Sequence, residues 1–424
     1  MKRTLIKDIA AHEGKEIMLS GWVHRIRDLG GVTFVILRDR SGRCQVVTND
    51  EVELNQESVV QAYGKVAPNE KAPGGYELAL DRFEILGAAE PELPFPVNGD
   101  PAKVGIELIL DQRMISLRNP KILSIFRLQA ALVKYFGEYL RSNDFTEIKS
   151  SKMIGTGTEG GTSVFEVEYF DRKVFLAQSP QFYKQAMVSS GLERVFEIGH
   201  AYRAEKHETS RHINEYVSLD VEMGFIESEM DIIELERGLL TYIFDKVNEN
   251  NKADMEVWGA TCPTGEQMKK APVITHDEAK KIIREKLERR VFEISPEGER
   301  VLSAWAEEEH GTPLVFINEF PRRKRPFYTY PKGTKTMSFD LVFRGLEITT
   351  GGRRINEYDM LRETLPRFGM TEEQLGGYAD IFKYGCPPHG GFAIGLERLT
   401  QKILGLGNIK ECSLFPRDRK RVMP

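Results

Sequence analysis

Four prolines crowd the eleven residues from Pro91 to Pro101, namely Pro91, Pro94, Pro96 and Pro101, and they separate two stretches of chain that follow different periods. Proline fixes φ and removes a backbone donor, so neither a helix nor a central strand runs through such a segment. Before it, Glu16–Val23 alternates, Val32–Leu37 is apolar and β-branched, Gln45–Val47 follows a Ser41-Gly42 turn, and Tyr76–Leu80 follows Pro73-Gly74-Gly75. Short strands with glycine turns between them predict a small barrel, with a helix expected over Asn55–Tyr63, in the manner of an OB-fold. After it, Ile122, Ile125, Phe126, Leu128, Leu132, Val133, Phe136 and Leu140 recur at helical spacing, which predicts an amphipathic helix over Lys121–Ser142. Beyond that helix, strands and helices mix without βαβ alternation. The fold class expected is α+β with a largely antiparallel sheet flanked by helices. The expected division is a barrel domain at 1–99, a hinge at 100–125, and a second domain at 126–424 with an insertion at about 251–335.

Composition excludes several classes. No apolar run approaches the ~20 residues of a membrane span, and no signal-peptide core follows Met1, so a cytoplasmic protein without membrane contact is expected. The four cysteines, Cys44, Cys262, Cys386 and Cys412, show no metal-ligand spacing and fit a reducing compartment. The formal net charge of −5 argues against a uniformly basic nucleic-acid binder, yet His24–Arg43 carries five arginines against two aspartates, and the tail Arg417–Arg421 is also basic.

Three blocks carry chemistry. Phe196–Glu205, a polar loop, Thr209–Tyr216 and Leu219–Met223 read as a hairpin bearing Arg203, Glu205, Arg211 and His212. Arginine forks suit phosphate and carboxylate alike. Gly345–Arg354 offers Glu347 and Thr350, a carboxylate and a hydroxyl able to hold Mg²⁺ against phosphate oxygens, followed by Arg354. Gly390–Thr400 is a glycine-rich strand running into a helix, with Arg398 at its start. Neither a P-loop nor a strand-linked G-x-G-x-x-G is present. Taken singly, each block also reads as a solvated hairpin or a strand ending in a turn.

In this order the blocks resemble the class II aminoacyl-tRNA synthetases over essentially the whole chain. The helix ending in Phe145-Thr146-Glu147-Ile148 resembles motif 1, the Arg203-Ala204-Glu205 hairpin motif 2, and Gly395-Leu396-Glu397-Arg398 motif 3. The N-terminal barrel places the resemblance in the subclass of aspartyl, asparaginyl and lysyl enzymes. Thr158–Gly161, Gln178–Gln185 and Ser218–Met223 resemble the aspartyl family of archaeal type. That likeness implies ATP as substrate, Mg²⁺ as cofactor, L-aspartate and tRNA(Asp) as partners, and a homodimer. It implies that Glu159 meets the α-amine and that Gln181, Phe182, Tyr183 and Lys184 line the amino-acid pocket. Lys184 and Arg354 are then the cations for the substrate's side-chain carboxylate, and Arg203 bridges the α-carboxylate and the α-phosphate. Ala204, Glu205, Arg211, His212 and Ile213 frame the nucleotide, Glu347 and Thr350 hold Mg²⁺, and Gly395, Leu396, Glu397 and Arg398 cover the phosphates. Thr350 also lies near the aspartate. Three positions depart from the pattern: Ser151 and His200 replace prolines and Thr350 replaces a serine.

On the barrel, the resemblance implies that His24, Arg27, Phe34, Gln45 and Pro73 face the anticodon. Histidine and proline at positions 24 and 73 resemble the relaxed type of enzyme, which charges both tRNA(Asp) and tRNA(Asn) and hands Asp-tRNA(Asn) to an amidotransferase. Rival readings are a discriminating aspartyl enzyme, an asparaginyl enzyme, a non-catalytic RNA-binding relative, and an asparagine synthetase built on the same core.

Overall fold

The structure is a computed structural model that describes residues 1–155, 163–206 and 208–423. Contacts divide the chain into two compact units, Met1–Lys103 and Val104–Pro424.

In the first unit, β1 (Glu16–Asp28), β2 (Thr33–Arg38), β3 (Arg43–Thr48), β4 (Val59–Pro68) and β5 (Tyr76–Gly87) pair in the order β1-β2-β3-β5-β4, and β4 returns to β1. Closure leaves few free sheet edges. Val23, Val35, Leu37, Val46, Val60, Ala62 and Leu78 fill the interior. The helix expected over Asn55–Tyr63 does not form. Glu57 adopts φ +69°, which ends the turn, and Val59 and Val60 pair with Gly87 and Ile85 as a strand. β-Branched side chains favour that pleated surface over a helix.

In the second unit, α1 (Pro120–Ser142) matches the predicted amphipathic helix. Asn119 caps it through Lys121 N–H and Ile122 N–H, and Pro120 occupies the first turn, where no donor is needed. Behind it lies an eight-stranded sheet. Its strands are β6 (Thr146–Glu147), β7 (Arg194–Tyr202), β8 (Glu215–Gly224), β9 (Val273–Thr275), β10 (Leu314–Asn318), β11 (Ser338–Phe343), β12 (Leu346–Arg353) and β13 (His389–Gly395). The order is β9-β10-β11-β12-β13-β8-β7-β6, antiparallel from β10 through β7, with a parallel strand at each edge. Helix α1, α3 (Glu229–Asn250) and α6 (Leu396–Leu404) cover one face through Leu128, Leu132, Phe136, Leu239, Ile243, Leu399 and Ile403. The remaining named helices are α2 (Gln181–Met187), α4 (His276–Leu287) and α5 (Pro296–His310). The segment 251–335 is built into the sheet, since β9 and β10 extend its edge. The other face of β8, β12 and β13 presents the site.

Candidate active site

Period-two alternation puts Asp220 and Glu222 of β8 on one face, and α2 presents Gln181 and Lys184 one turn apart above them. Lys184 Nζ lies 2.9 Å from Asp220 and 3.5 Å from Glu222. Arg354, just past β12, donates from Nε to Glu222 at 2.9 Å, and from Nη2 to Glu222 at 3.3 Å, to Gln181 Oε1 at 3.4 Å and to the Gly391 carbonyl at 3.0 Å. Gly391 is needed here, because a Cβ would sit 2.0 Å from the Val221 carbonyl and 2.3 Å from Glu222 Oε2. All four charged side chains are buried. Burial alone would raise the Glu222 pKa, but Arg354 and then Lys184 outweigh it and hold the group below the usual carboxylate range. Lys184 and Arg354 were expected as the cations awaiting a substrate carboxylate. Instead each already carries a carboxylate of the protein, because a buried cation left unpaired is too costly. Beyond them, Gln185 donates to His389 Nε2 at 2.7 Å and accepts from Tyr378 at 2.8 Å.

Phe182 does not line this pocket as expected. Its ring stacks on Tyr378, centroids 3.9 Å apart, in the apolar cluster with Phe327. Tyr183 is half-buried, and Glu159 lies outside the described residues.

A more open cleft adjoins the pocket. Arg203, Glu205, Arg211, His212 and Ile213 line it from the β7–β8 hairpin, Glu347 and Thr350 from β12, and Gly395 and Arg398 from the start of α6. Arg203 is exposed and sits 5.7 Å over Tyr216. Arg398 donates to the Glu347 carbonyl at 3.0 Å and reaches its carboxylate at 3.4 Å; Thr350 donates to that carboxylate at 3.3 Å. Burial pushes the His212 pKa down, against the pull of Glu205 3.7 Å away. Ala204 contributes its backbone, donating N–H to the Ser163 carbonyl at 3.0 Å. One of the expected nucleotide residues turns away: Leu396 packs in the core. Glu397 lines the cleft, and its carboxylate accepts from Val217 N–H at 3.0 and 3.2 Å, with its pKa pushed up to about 7 by burial.

The segment 251–335 supplies two groups that motif spacing did not reveal. Glu299 of α5 pairs with Arg211, and Arg325 lies 2.8 Å from Asp340 on β11. Asp340 faces Thr350 across the β11–β12 pair. Burial raises its pKa, Arg325 opposes the shift and Glu347 adds to it. A lone aspartate in the apolar run Ser338–Phe343 was the available signal. Among the described residues no group of three or more His, Cys, Asp or Glu stands ready for a metal, and no helix is long and apolar enough to cross a membrane.

On the barrel, Arg27 pairs across strands with Phe34, and Phe34 with Val47; Gln45 pairs with Ile36 and donates to Glu77 at 2.8 Å. Pro73 is exposed and opens the turn Pro73–Gly75. His24 does not face outward as expected. A β-bulge between Val23 and Arg25 turns it inward to 6 % exposure, where Nδ1 accepts from Arg38 at 3.1 Å. Burial and the surrounding arginines push its pKa down to about 4. Arg38 in turn holds the buried Glu57 through two hydrogen bonds of 2.9 and 3.2 Å.

The sequence is 46 % identical to the aspartate–tRNA(Asp/Asn) ligase of Thermus thermophilus, with both chains covered in full. It is 44 % identical to the enzyme of that name from Deinococcus radiodurans, over all of this chain and 99 % of the other. The fold superposes on asparaginyl-tRNA synthetase from Pyrococcus horikoshii, in complex with asparaginyl-adenylate, with a TM-score of 0.91 at 29 % identity over the full length of both. Residues 17–86 match the OB-fold nucleic-acid-binding domain, and residues 105–419 match the class II tRNA synthetases for D, K and N. With its motif residues gathered on one antiparallel sheet and its matches spanning both units, the chain belongs to the class II aminoacyl-tRNA synthetases of the aspartate, lysine and asparagine group.

Proposed function

We propose that the chain is an aspartate–tRNA ligase that forms aspartyl-adenylate from L-aspartate and ATP and transfers the aspartyl group to tRNA(Asp) and tRNA(Asn). The observation that carries the choice of amino acid is the presence of two buried cations, Lys184 held on Asp220 and Arg354 held on Glu222, beside the arginine-lined cleft. A carboxylate side chain entering there meets both. An asparagine amide offers no charge, so the desolvated cations gain less from it.

The chemistry follows from charge. In the first step an oxygen of the aspartate α-carboxylate attacks the α-phosphorus of ATP in line. The O–P bond forms, the α–β bridging P–O bond breaks, and pyrophosphate leaves with the electron pair. Arg203 faces the developing charge at the α-phosphorus, and Arg398 the β- and γ-phosphates. Glu205 and His212 flank the nucleotide, and Arg211 is held against Glu299 on the cleft wall. A terminal ribose hydroxyl of tRNA then attacks the aspartyl carbonyl, and AMP departs. Neither step needs a protein nucleophile.

The donors fit Mg²⁺. Glu347 and Thr350 would hold it, and the buried Asp340 Oδ1, which has no hydrogen-bond partner, belongs to the same set. So few protein oxygens suit an ion that keeps water and phosphate ligands. Bound there, Mg²⁺ would neutralise phosphate charge.

Arg27, Phe34, Gln45 and Pro73 are assigned to the anticodon, Phe34 by stacking, while His24 acts from beneath through Arg38. The names of the two bacterial relatives support charging of both tRNAs. A homodimer, a cytoplasmic setting and an amidotransferase that receives Asp-tRNA(Asn) complete the reading. The test pairs amino-acid-dependent ATP–pyrophosphate exchange with charging of purified tRNA(Asp) and tRNA(Asn). Exchange with aspartate and charging of both tRNAs is expected. Preferential exchange with asparagine overturns the amino-acid assignment, and failure to charge tRNA(Asn) overturns the dual tRNA specificity.

A further inference from the structure

The basic run Arg322–Arg325 stands out in the sequence, and tRNA charging does not account for it. The fold takes the run apart. Arg322 donates to Thr364 Oγ1 at 2.8 Å, Lys324 pairs with Glu293 at 3.0 Å, and Arg323 is exposed. Arg325 turns toward Asp340 of β11. Its guanidinium lies 3.8 Å from the Phe320 ring centroid and 2.8 Å from Asp340 Oδ2, and the two charged side chains are only 9 % and 10 % exposed. The other carboxylate oxygen, Oδ1, is buried and has no hydrogen-bond partner. Opposite Asp340 in the sheet is Thr350, whose own hydroxyl is given to Glu347.

One carboxylate oxygen is thus ion-paired with Arg325, whose Nε and Nη2 make no hydrogen bond, while the other is held buried and open. A buried acceptor without a partner is rare and calls for a reason. A planar guanidinium stacked on an aromatic ring has little rotational freedom, so it fixes the orientation of the carboxylate it holds. A lysine at 325 would supply the charge but not the plane.

We propose that Arg325 is a positioning residue that keeps Asp340 Oδ1 free and oriented as an oxygen donor for the divalent cation accompanying ATP. The inference rests on the assignment of Glu347 and Thr350 to that cation. It also gives the segment 251–335 a part in the nucleotide cleft, alongside Glu299.

The experiment measures Mn²⁺ binding by electron paramagnetic resonance in the full-length protein with α,β-methylene ATP, in the absence of aspartate. Loss of a group that orients a metal ligand weakens metal binding by roughly 10- to 100-fold. Arg325→Gln should therefore weaken Mn²⁺ binding by about tenfold, and Arg325→Lys by less. Asp340→Asn should weaken it comparably, and the Arg325→Gln, Asp340→Asn double variant should be no worse than Asp340→Asn. Thermal melting of each variant monitors folding, and Arg325→Lys keeps the test alive should Arg325→Gln not fold. If Asp340→Asn weakens binding while both Arg325 variants bind Mn²⁺ as the parent does, the positioning role is wrong. If Glu347→Gln and Asp340→Asn both bind unchanged, the cation assignment itself fails and the inference falls with it.

Discussion

The buried charge cluster proposed to take aspartate and the cleft proposed to take the nucleotide share one sheet face but handle charge in opposite ways. In the pocket, Lys184, Arg354, Asp220 and Glu222 are buried and pair with one another, so the net charge is zero before any substrate arrives. In the cleft, Arg203 is exposed, and Arg398 rests on Glu347 while still open to solvent. Preorganised charge costs nothing at the moment of binding, but it ties the site to the stability of the fold. Charge at the surface of a cleft is more strongly screened by solvent and adds less to the stability of the fold. The pocket therefore doubles as a folding element, whereas the cleft does not.

The largest effect that can break this contrast is at Arg354. Arg354→Ala leaves Glu222 with a lysine shared with Asp220 and a 3.4 Å hydrogen bond from Gln181. Removing one partner of a buried pair costs about 3–5 kcal/mol, so denaturant unfolding should show that loss together with abolished aspartate-dependent exchange. Adding Glu222→Gln should restore much of the stability and none of the activity. An Arg354→Ala protein as stable as the parent would mean that the pocket is not a folding element.

Arg203→Ala comes next. Removing one donor to a developing charge lowers turnover by about 10²–10³-fold, and exchange should fall by that factor. Because Arg203 is exposed, the melting temperature should not move. A parallel loss of stability would erase the distinction between the two regions.

How far the sequence exposed these regions follows the same division. Arg203, Glu347 and Arg398 are legible because each belongs to a short block whose order along the chain is diagnostic, and a cleft open to solvent needs few other partners. The pocket is only half legible. Lys184 and Arg354 can be picked out, but their partners Asp220 and Glu222 emerge from strand register, which places Glu222 opposite Gly391. Glu299 has no local signature, and Arg325 lies in a basic run that does not show which of its four residues turns inward; the sheet edge formed by β9 and β10 builds their segment into the fold. His24 misleads for a third reason. Alternation along β1 points it outward, but a bulge adds one residue and reverses its face. Phe182 was carried into the pocket by its neighbours at 181 and 184, although one position along a helix is a turn of 100°.

The barrel face extends the comparison to a second open surface. Base stacking on an aromatic side chain is worth about 1–3 kcal/mol. Phe34→Ala should raise KM for tRNA by roughly tenfold or more, leaving ATP–pyrophosphate exchange and the melting temperature as they are. A drop in exchange would place Phe34 in folding rather than in recognition.

The smallest effect isolates the principle beneath the contrast, that partners and not burial decide the state of an interior carboxylate. Glu222 and Glu236 are both 0 % exposed. Glu222 has Arg354 and Lys184 beside it, and its pKa is lowered. Glu236, on α3 beneath β12, has no hydrogen-bond partner on either oxygen, and burial, with a small addition from Asp340 and only weak opposition from Thr349 and Arg237, pushes its pKa up to about 8. Folded protein thus holds a proton on Glu236 that the unfolded chain releases near its ordinary value of 4.5. The stabilisation is complete below pH 4.5 and declines as pH rises toward 8. Between pH 6 and 7 this group should cost at most about 1.4 kcal/mol of unfolding free energy. Glu236→Gln, neutral at every pH, should lack that slope, so that the variant gains on the parent from pH 6 to pH 7 in urea unfolding. Equal slopes in the two proteins would mean that Glu236 stays ionised, with a partner as effective as the one Arg354 gives Glu222.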